Sequence, residues 1–180
     1  MEVLIAGRGG QGVLVLGRIL GKAISRYTSY YVLGSESYAA EVRGGDSRAD
    51  LIISDSYEEA DFIKVRAADI ALFMHQQQLE AYLNLVRDGG VILVDYSNII
   101  DPGVLNRLDR FRVQAKPYTE IAERLFNTSR VANMIALGHI VKILKIIDPE
   151  HVEKIIADET PKEWREINIR AFRRSIIDLD

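Results

Sequence analysis

The segment Gly7-Arg8-Gly9-Gly10-Gln11-Gly12 has residue types and spacing that suit ligand chemistry. A continuous apolar run at 3–6 stops at it, and a helical pattern with Val13, Leu16, Leu20 and Ile24 at spacings of three and four starts from it. Between a strand and a helix, glycines permit a tight turn, and the first amides of the helix can face an anion. Glu36 follows Gly12 by 24 residues, where an acidic side chain near a second strand's end could hold a ribose. Two readings fit the spacing: a nucleotide site, or glycines that only let helix and strand pack closely.

A second candidate is Ser37-Tyr38-Ala39-Ala40-Glu41-Val42-Arg43-Gly44-Gly45. Arg43 offers a planar donor fork for carboxylate or phosphate, and Gly44 and Gly45 let backbone approach whatever it holds. A surface turn with a solvated arginine is the plainer reading. Asn133, an amide in an otherwise apolar helix, needs partners and is a further candidate. His75, at a strand end, could face a site but has no companion at metal-ligand spacing, and no metal site is expected. His139 reads as a packed core residue and His151 as exposed. Asp69 and Asp95 flank strands, as an acid–base pair or as caps. No residue is singled out as catalytic.

The elements that must position these residues alternate between strand and helix. Strands are expected at 3–6, 30–33, 49–54, 69–74, 91–94 and, as an edge strand ended by Pro117, 111–115. Helices are expected from Val13, over 76–86, over 121–126 capped by Thr119, over 130–147 closed by Asp148-Pro149, and from Thr160-Pro161-Lys162-Glu163 onward. In that last helix Trp164, Ile167, Ala171 and Phe172 are expected to face inward. Gly17 and Gly21, one turn apart, would let the first helix lie close on a sheet. The pattern predicts one α/β domain over 1–180, Rossmann-like and doubly wound, with a mostly parallel sheet and a helical C-terminal third.

Composition narrows the function. The chain carries 48% hydrophobic and 27% charged residues, ordinary for a folded domain. A net charge of −3 with no basic half makes nucleic acid a poor partner. No apolar run approaches the roughly 20 residues that cross a bilayer, so a soluble, cytoplasmic protein is expected. The absence of cysteine excludes a thiolate nucleophile, a disulfide framework and a thiolate-bound iron–sulfur cluster on this chain.

Taken together, Gly-x-Gly-Gly-Gln-Gly at 7–12 and Ser-Tyr-x-x-Glu-Val-Arg-Gly-Gly at 37–45 resemble the gamma subunit of 2-oxoacid:ferredoxin oxidoreductases, a module that also occurs inside single-chain pyruvate:ferredoxin oxidoreductases. Ile53-Ser54-Asp55, Met74-His75-Gln76-Gln77, Asn133-Met134, Leu137-Gly138, Asn168 and Phe172 extend the resemblance over nearly the whole chain. Ala39-Ala40 stand where that family usually has Gly-Pro, and Arg8 is unusual in the glycine loop. Arg43-Gly44-Gly45 is more similar to the 2-oxoglutarate and branched-chain branches than to the pyruvate branch. The resemblance implies oxidative decarboxylation of a 2-oxoacid to an acyl-coenzyme A with reduction of ferredoxin. Thiamine diphosphate, magnesium and iron–sulfur clusters would lie on alpha and beta subunits and a ferredoxin-like delta subunit or ferredoxin. This chain would support assembly and contact coenzyme A or a nucleotide through Gly7–Gly12 and Arg43–Gly45, with Tyr38, Glu41 and Asn133 as loop or partner residues. A homodimer of the isolated chain is a further expectation, and a free-standing NAD(P)-binding Rossmann protein the alternative.

Overall fold

The computed structural model describes residues 1–39, 45–56 and 64–178. The chain runs through β1 (Glu2–Arg8), α1 (Val13–Tyr27), β2 (Tyr31–Tyr38), β3 (Asp46–Ser54), β4 (Ala68–Phe73), α2 (Gln76–Tyr82), β5 (Val86–Asp95), β6 (Arg112–Lys116), α3 (Tyr118–Phe126), α4 (Ala132–Leu144), α5 (Pro149–Glu159) and α6 (Lys162–Asp178). Six strands form one sheet in the order β2-β3-β1-β4-β5-β6. Strands β1, β4, β5 and β6 are mutually parallel, whereas β3 is antiparallel to both β1 and β2. The expected α/β class with a mostly parallel sheet and a helical C-terminal part is therefore observed.

The apolar run at the chain's start is explained by burial on both faces. Val3 and Ile5 enter a core beneath α1, α4 and α6, while Leu4 and Ala6 enter a second core with Phe73 and Leu79 on the opposite face. All four are fully buried. Gly17 does what its position suggests: a Cβ there would lie 2.6 Å from the Ala49 Cβ, so α1 rests directly on β3.

Several boundaries differ from the sequence reading for physical reasons. Strand β2 runs on to Tyr38, past the apolar 30–33, because all eight of its residues pair with β3. Its polar stretch is an edge, and edge strands carry little sequence signal. Thr119 does not cap α3: the helix starts after Pro117, and the Thr119 hydroxyl donates to Asp95 instead. Asp148-Pro149 opens a helix rather than closing one, with the Asp148 carboxylate accepting the Glu150 amide; α4 already ends at left-handed Lys145. The Thr160 hydroxyl bonds back to the Ile156 carbonyl at 2.6 Å, so it serves α5 and not α6. Ala171 and Phe172 are fully buried as expected, and Trp164 and Ile167 pack partly buried against the same core.

Helix α4 is held by two close fits, one to α6 and one to β6 and α3. At Gly138, a Cβ would meet the Phe172 carbonyl oxygen at 2.5 Å and the Ser175 Cβ at 2.7 Å, so α4 and α6 touch backbone to backbone. Beside it, His139 bridges α3 and β6: Tyr118 Oη lies 2.6 Å from Nδ1, and Gln114 Oε1 2.6 Å from Nε2. The Gln114 oxygen can only accept, so Nε2 carries the proton and Nδ1 accepts from the phenol. The imidazole is neutral, and burial, aided by Lys116 and Lys142, pushes its pKa down to about 4.

Gly138→Ala is expected to cost about 1–3 kcal/mol by overpacking, seen as a lower denaturant midpoint with an unchanged slope. His139 titrates higher in the unfolded chain than in the folded one, so acidification protonates the unfolded chain first and its contribution is lost as pH falls from 6.5 towards about 4. Unfolding free energies of wild type and His139→Gln are expected to converge across that window by at most about 3 kcal/mol.

Candidate functional site

The glycine loop turns at the carboxyl ends of the parallel strands, where open α/β sheets gather ligands. Its shape is built from within. The Gln11 amide donates to the Arg8 carbonyl at 3.1 Å, closing a tight turn. The Gln11 side chain then accepts the Arg8 amide at 2.7 Å and donates to the Met74 carbonyl at 2.9 Å, tying the ends of β1 and β4 together. Gly10 and Gly12 have φ of 95° and 71°, a region L-residues rarely adopt, so their glycine identity is a backbone requirement.

Helix α1 starts at Gly12 with no side-chain cap. Its first amides therefore have no intrahelical acceptor, and they carry the positive end of the helix dipole. Among the described residues, a Cβ on Gly10 would find no atom within 4 Å, so none of them closes over that residue. An unshielded helix start beneath open space is an arrangement that accepts a phosphoryl group.

The reversed strand β3 brings the second candidate segment here. Because β3 is antiparallel to β1, its first residue Asp46 pairs with Arg8, the last residue of β1. The Gly9 amide donates to the Gly45 carbonyl at 2.8 Å, and the Ala39 amide to the Asp46 carbonyl at 2.9 Å. Tyr38 stands over Gly9, with its hydroxyl 3.0 Å from the place a Cβ would occupy. Gly45 and Tyr38 thus join Gly7–Gly12 on one surface, whereas Glu41, Arg43 and Gly44 lie outside the described residues. Asn133 arrives from α4: its Nδ2 donates to the Gly12 carbonyl at 3.2 Å, and its buried Oδ1 has no hydrogen-bond partner.

Glu36 is not at this site. The inserted β3 separates β2 from β1, and Glu36 forms an ion pair with Arg18 on α1 at 3.2 Å. The ribose contact that a dinucleotide site requires is therefore missing at that position. Asp69 and Asp95 are no pair either, for they lie at opposite ends of parallel strands. Asp69 accepts the Glu2 amide and pairs with Arg87; Asp95 is fully buried and receives Ser97, Asn98 and Thr119. His75 caps α2 by accepting the Gln77 amide at 3.2 Å. Burial and then the nearby Arg8 cation push its pKa down, against the opposing pull of Asp95. His151 is half-buried and stacked on Tyr27, ring centres 4.3 Å apart.

A polar cluster that the sequence did not single out supports the site from below. Asp46 receives hydrogen bonds from Gln78 and from the Tyr82 hydroxyl, whose pKa rises to about 12 through burial and that bond. Arg48 lies over the Tyr82 ring and clasps Asp50 with two bonds of 2.7 Å. These groups fasten the start of β3 to α2. Their spacing in the chain follows no motif, which is why only the fold reveals them.

The chain matches the family model described as pyruvate ferredoxin/flavodoxin oxidoreductase over residues 2–176. It is similar to 2-oxoglutarate synthase subunit KorC of Methanothermobacter marburgensis, 36% identical over 96% of this chain and 92% of that protein. It is also 36% identical to ketoisovalerate oxidoreductase subunit VorA of Methanothermobacter thermautotrophicus, over 77% of this chain but 27% of that longer protein. Among solved structures, the gamma subunit of a keto/oxoacid ferredoxin oxidoreductase from Geobacter sulfurreducens superposes with a TM-score of 0.79 at 29% identity, covering 97% of this chain and 95% of that one.

Gly12→Ala would place a Cβ 2.3 Å from Asn133 Nδ2 and also strain the backbone. A loss of about 2–4 kcal/mol is expected, of which the left-handed conformation accounts for about 1–2 kcal/mol. Gly12→Ala with Asn133→Ala should be more stable than the sum of the two single losses. Chemical denaturation of all four proteins measures that coupling.

Proposed function

Since the chain belongs to the pyruvate ferredoxin/flavodoxin oxidoreductase family and is a gamma subunit of a 2-oxoacid:ferredoxin oxidoreductase, we propose that it binds the phosphates of coenzyme A at the glycine loop and docks on thiamine-bearing subunits through the surface around that loop. The single observation that carries this reading is the uncapped start of α1 beneath the open space over Gly10. Those amides fit a pyrophosphate: as backbone donors at a helix start they need no side chain to hold it.

The division of chemistry follows from what the chain holds. It has no cysteine with which to bind an iron–sulfur cluster. Among the described residues, no group of three or more acidic or histidine side chains could bind a metal ion. Its buried histidines are committed to hydrogen bonds within the fold. Thiamine diphosphate with its magnesium, and the clusters that carry electrons singly to ferredoxin, are assigned to alpha, beta and delta-type partners. When bound there, they supply the decarboxylation and electron transfer.

This chain's own residues bind and orient. Gln11 holds the loop in its anion-ready shape, Gly10 leaves the approach clear, and Gly12 admits the close contact with which Asn133 steadies it from α4. Arg43 and Gly44 are proposed to contact the same ligand, because the adjoining Gly45 is hydrogen-bonded to Gly9. Similarity to KorC supports 2-oxoglutarate as the oxoacid, with branched-chain oxoacids next, as the VorA match suggests. No helix among the described residues is long and apolar enough to cross a membrane. Soluble assembly in the cytoplasm is proposed.

Gly10→Leu tests the loop. Its side chain meets open space, so the variant should fold at a cost of about 1–2 kcal/mol and still assemble with its partner subunits. In steady-state assays of the assembled complex, the KM for coenzyme A should rise at least tenfold while the KM for 2-oxoglutarate stays fixed. An unchanged coenzyme A KM in a correctly assembled complex would remove the ligand role of the loop.

A further inference from the structure

The two edges of the sheet are treated differently by the sequence. Strand β6 ends one side with Arg112 and Lys116, and any two-fold antiparallel pairing centred on Gln114 would set each Arg112 against the second copy's Lys116. Charge at a strand edge is a usual guard against such pairing. Strand β2 ends the other side without that guard. Tyr31-Val32-Leu33-Gly34-Ser35-Glu36-Ser37-Tyr38 has no proline, no lysine or arginine, and no register break against β3. Among the described residues no strand pairs with its outer edge.

A groove of about 620 Å³ runs alongside this edge, between α1, the end of α5 and the face of β2. Helix α1 sits on β3 at Gly17 and reaches β2 near Val32 through Gly21, leaving Gly34 and Glu36 exposed further along the strand. Val32 and Gly34 form the floor, and Arg18 and Lys22 line the α1 side. Both cations are about half exposed while pairing with Glu36 and Glu159 within the chain.

A free edge with an adjoining groove is the arrangement that accepts an added strand. A two-fold axis perpendicular to the sheet keeps the α1 faces of both copies on one side, so only residues of the same facing can lie opposite each other. The ladder centred on Ser35 meets that condition. It sets Tyr38 against Val32 and Glu36 against Gly34, and opposes no like charges. Gly34 has no side chain, so the incoming Glu36 carboxylate has room above it and lies towards Arg18 and Lys22 of the other copy. The contact is reciprocal, which is the self-complementarity an isologous dimer needs.

We propose that the edge of β2 and its groove pair with the same elements of a second copy of this chain, in an antiparallel ladder centred on Ser35 that joins two sheets into one. The surface meets the glycine loop at Tyr38, and the inference does not depend on that loop's ligand.

Sedimentation velocity of the purified full chain over a concentration series tests it. A reversible monomer–dimer equilibrium in the micromolar range is expected. Ser35→Lys sets two cations face to face at the axis, and Glu36→Lys sets one against Arg18 and Lys22; each should raise the dissociation constant at least tenfold while far-UV circular dichroism is retained. Should either variant unfold, hydrogen exchange of the wild type decides: amides 31–38 should gain protection as concentration rises. A chain monomeric at every concentration, a dimer indifferent to Ser35→Lys, or protection of 31–38 that appears only when partner subunits are added would each overturn the proposal.

Discussion

The candidate site depends on one constraint, the reversal of β3 between β1 and β2. A strand that left the β2 end and entered the sheet parallel to β1 would start at the far edge and carry its leading loop away from the glycines. Running antiparallel, β3 starts beside Arg8 and delivers Gly45 to the Gly9 amide. The insertion of that strand also moves β2 outward by one strand spacing, about 4.8 Å, and leaves Glu36 paired with Arg18. One topological choice thus brings Gly45 and Tyr38 to the glycine loop and takes Glu36 away from it. The fold keeps the helix-start chemistry of a Rossmann unit and discards its ribose reader.

That loop surface is held by groups that do no chemistry themselves. Gln11 spends both polar ends on backbone, Asn133 reaches Gly12 from the C-terminal helices, and Asp46 is anchored to Gln78 and Tyr82. The C-terminal third matters to the site for this reason: α4 is fixed against α6 at Gly138 and against β6 through His139, and it then positions Asn133. Such rigidity suits the proposed role, because backbone amides that hold a ligand have no side chain that can adjust.

Much of this was legible in the sequence where a residue type has one physical reason to be present. The run at 3–6 declared a strand buried on both faces, and Gly17 declared a close helix–sheet contact. Asn133 was recognisable as a buried amide in want of a partner. Strand direction was not legible, because alternation and apolar runs specify that a segment is a strand and not which way it enters the sheet. For that reason Glu36 looked like a ribose ligand and the extent of β2 was underestimated. Thr119 and Thr160 read as helix caps and Asp148 as a helix end because a short hydroxyl or carboxylate fits several local hydrogen bonds, and tertiary neighbours decide among them. The cluster of Asp46, Gln78 and Tyr82 joins residues distant in the chain, so no spacing announces it.

Hydrogen exchange resolved at residues 9–15, on the isolated chain and on the assembled complex with and without coenzyme A, bears most directly on the central claim. The Gly9 amide, bonded to Gly45, should be protected in every state. The amides at Gly10 and at the start of α1 should exchange rapidly in the isolated chain and become protected when coenzyme A is added to the complex. Rapid exchange at those amides in the coenzyme A-bound complex, or an unprotected Gly9 in the isolated chain, would contradict it.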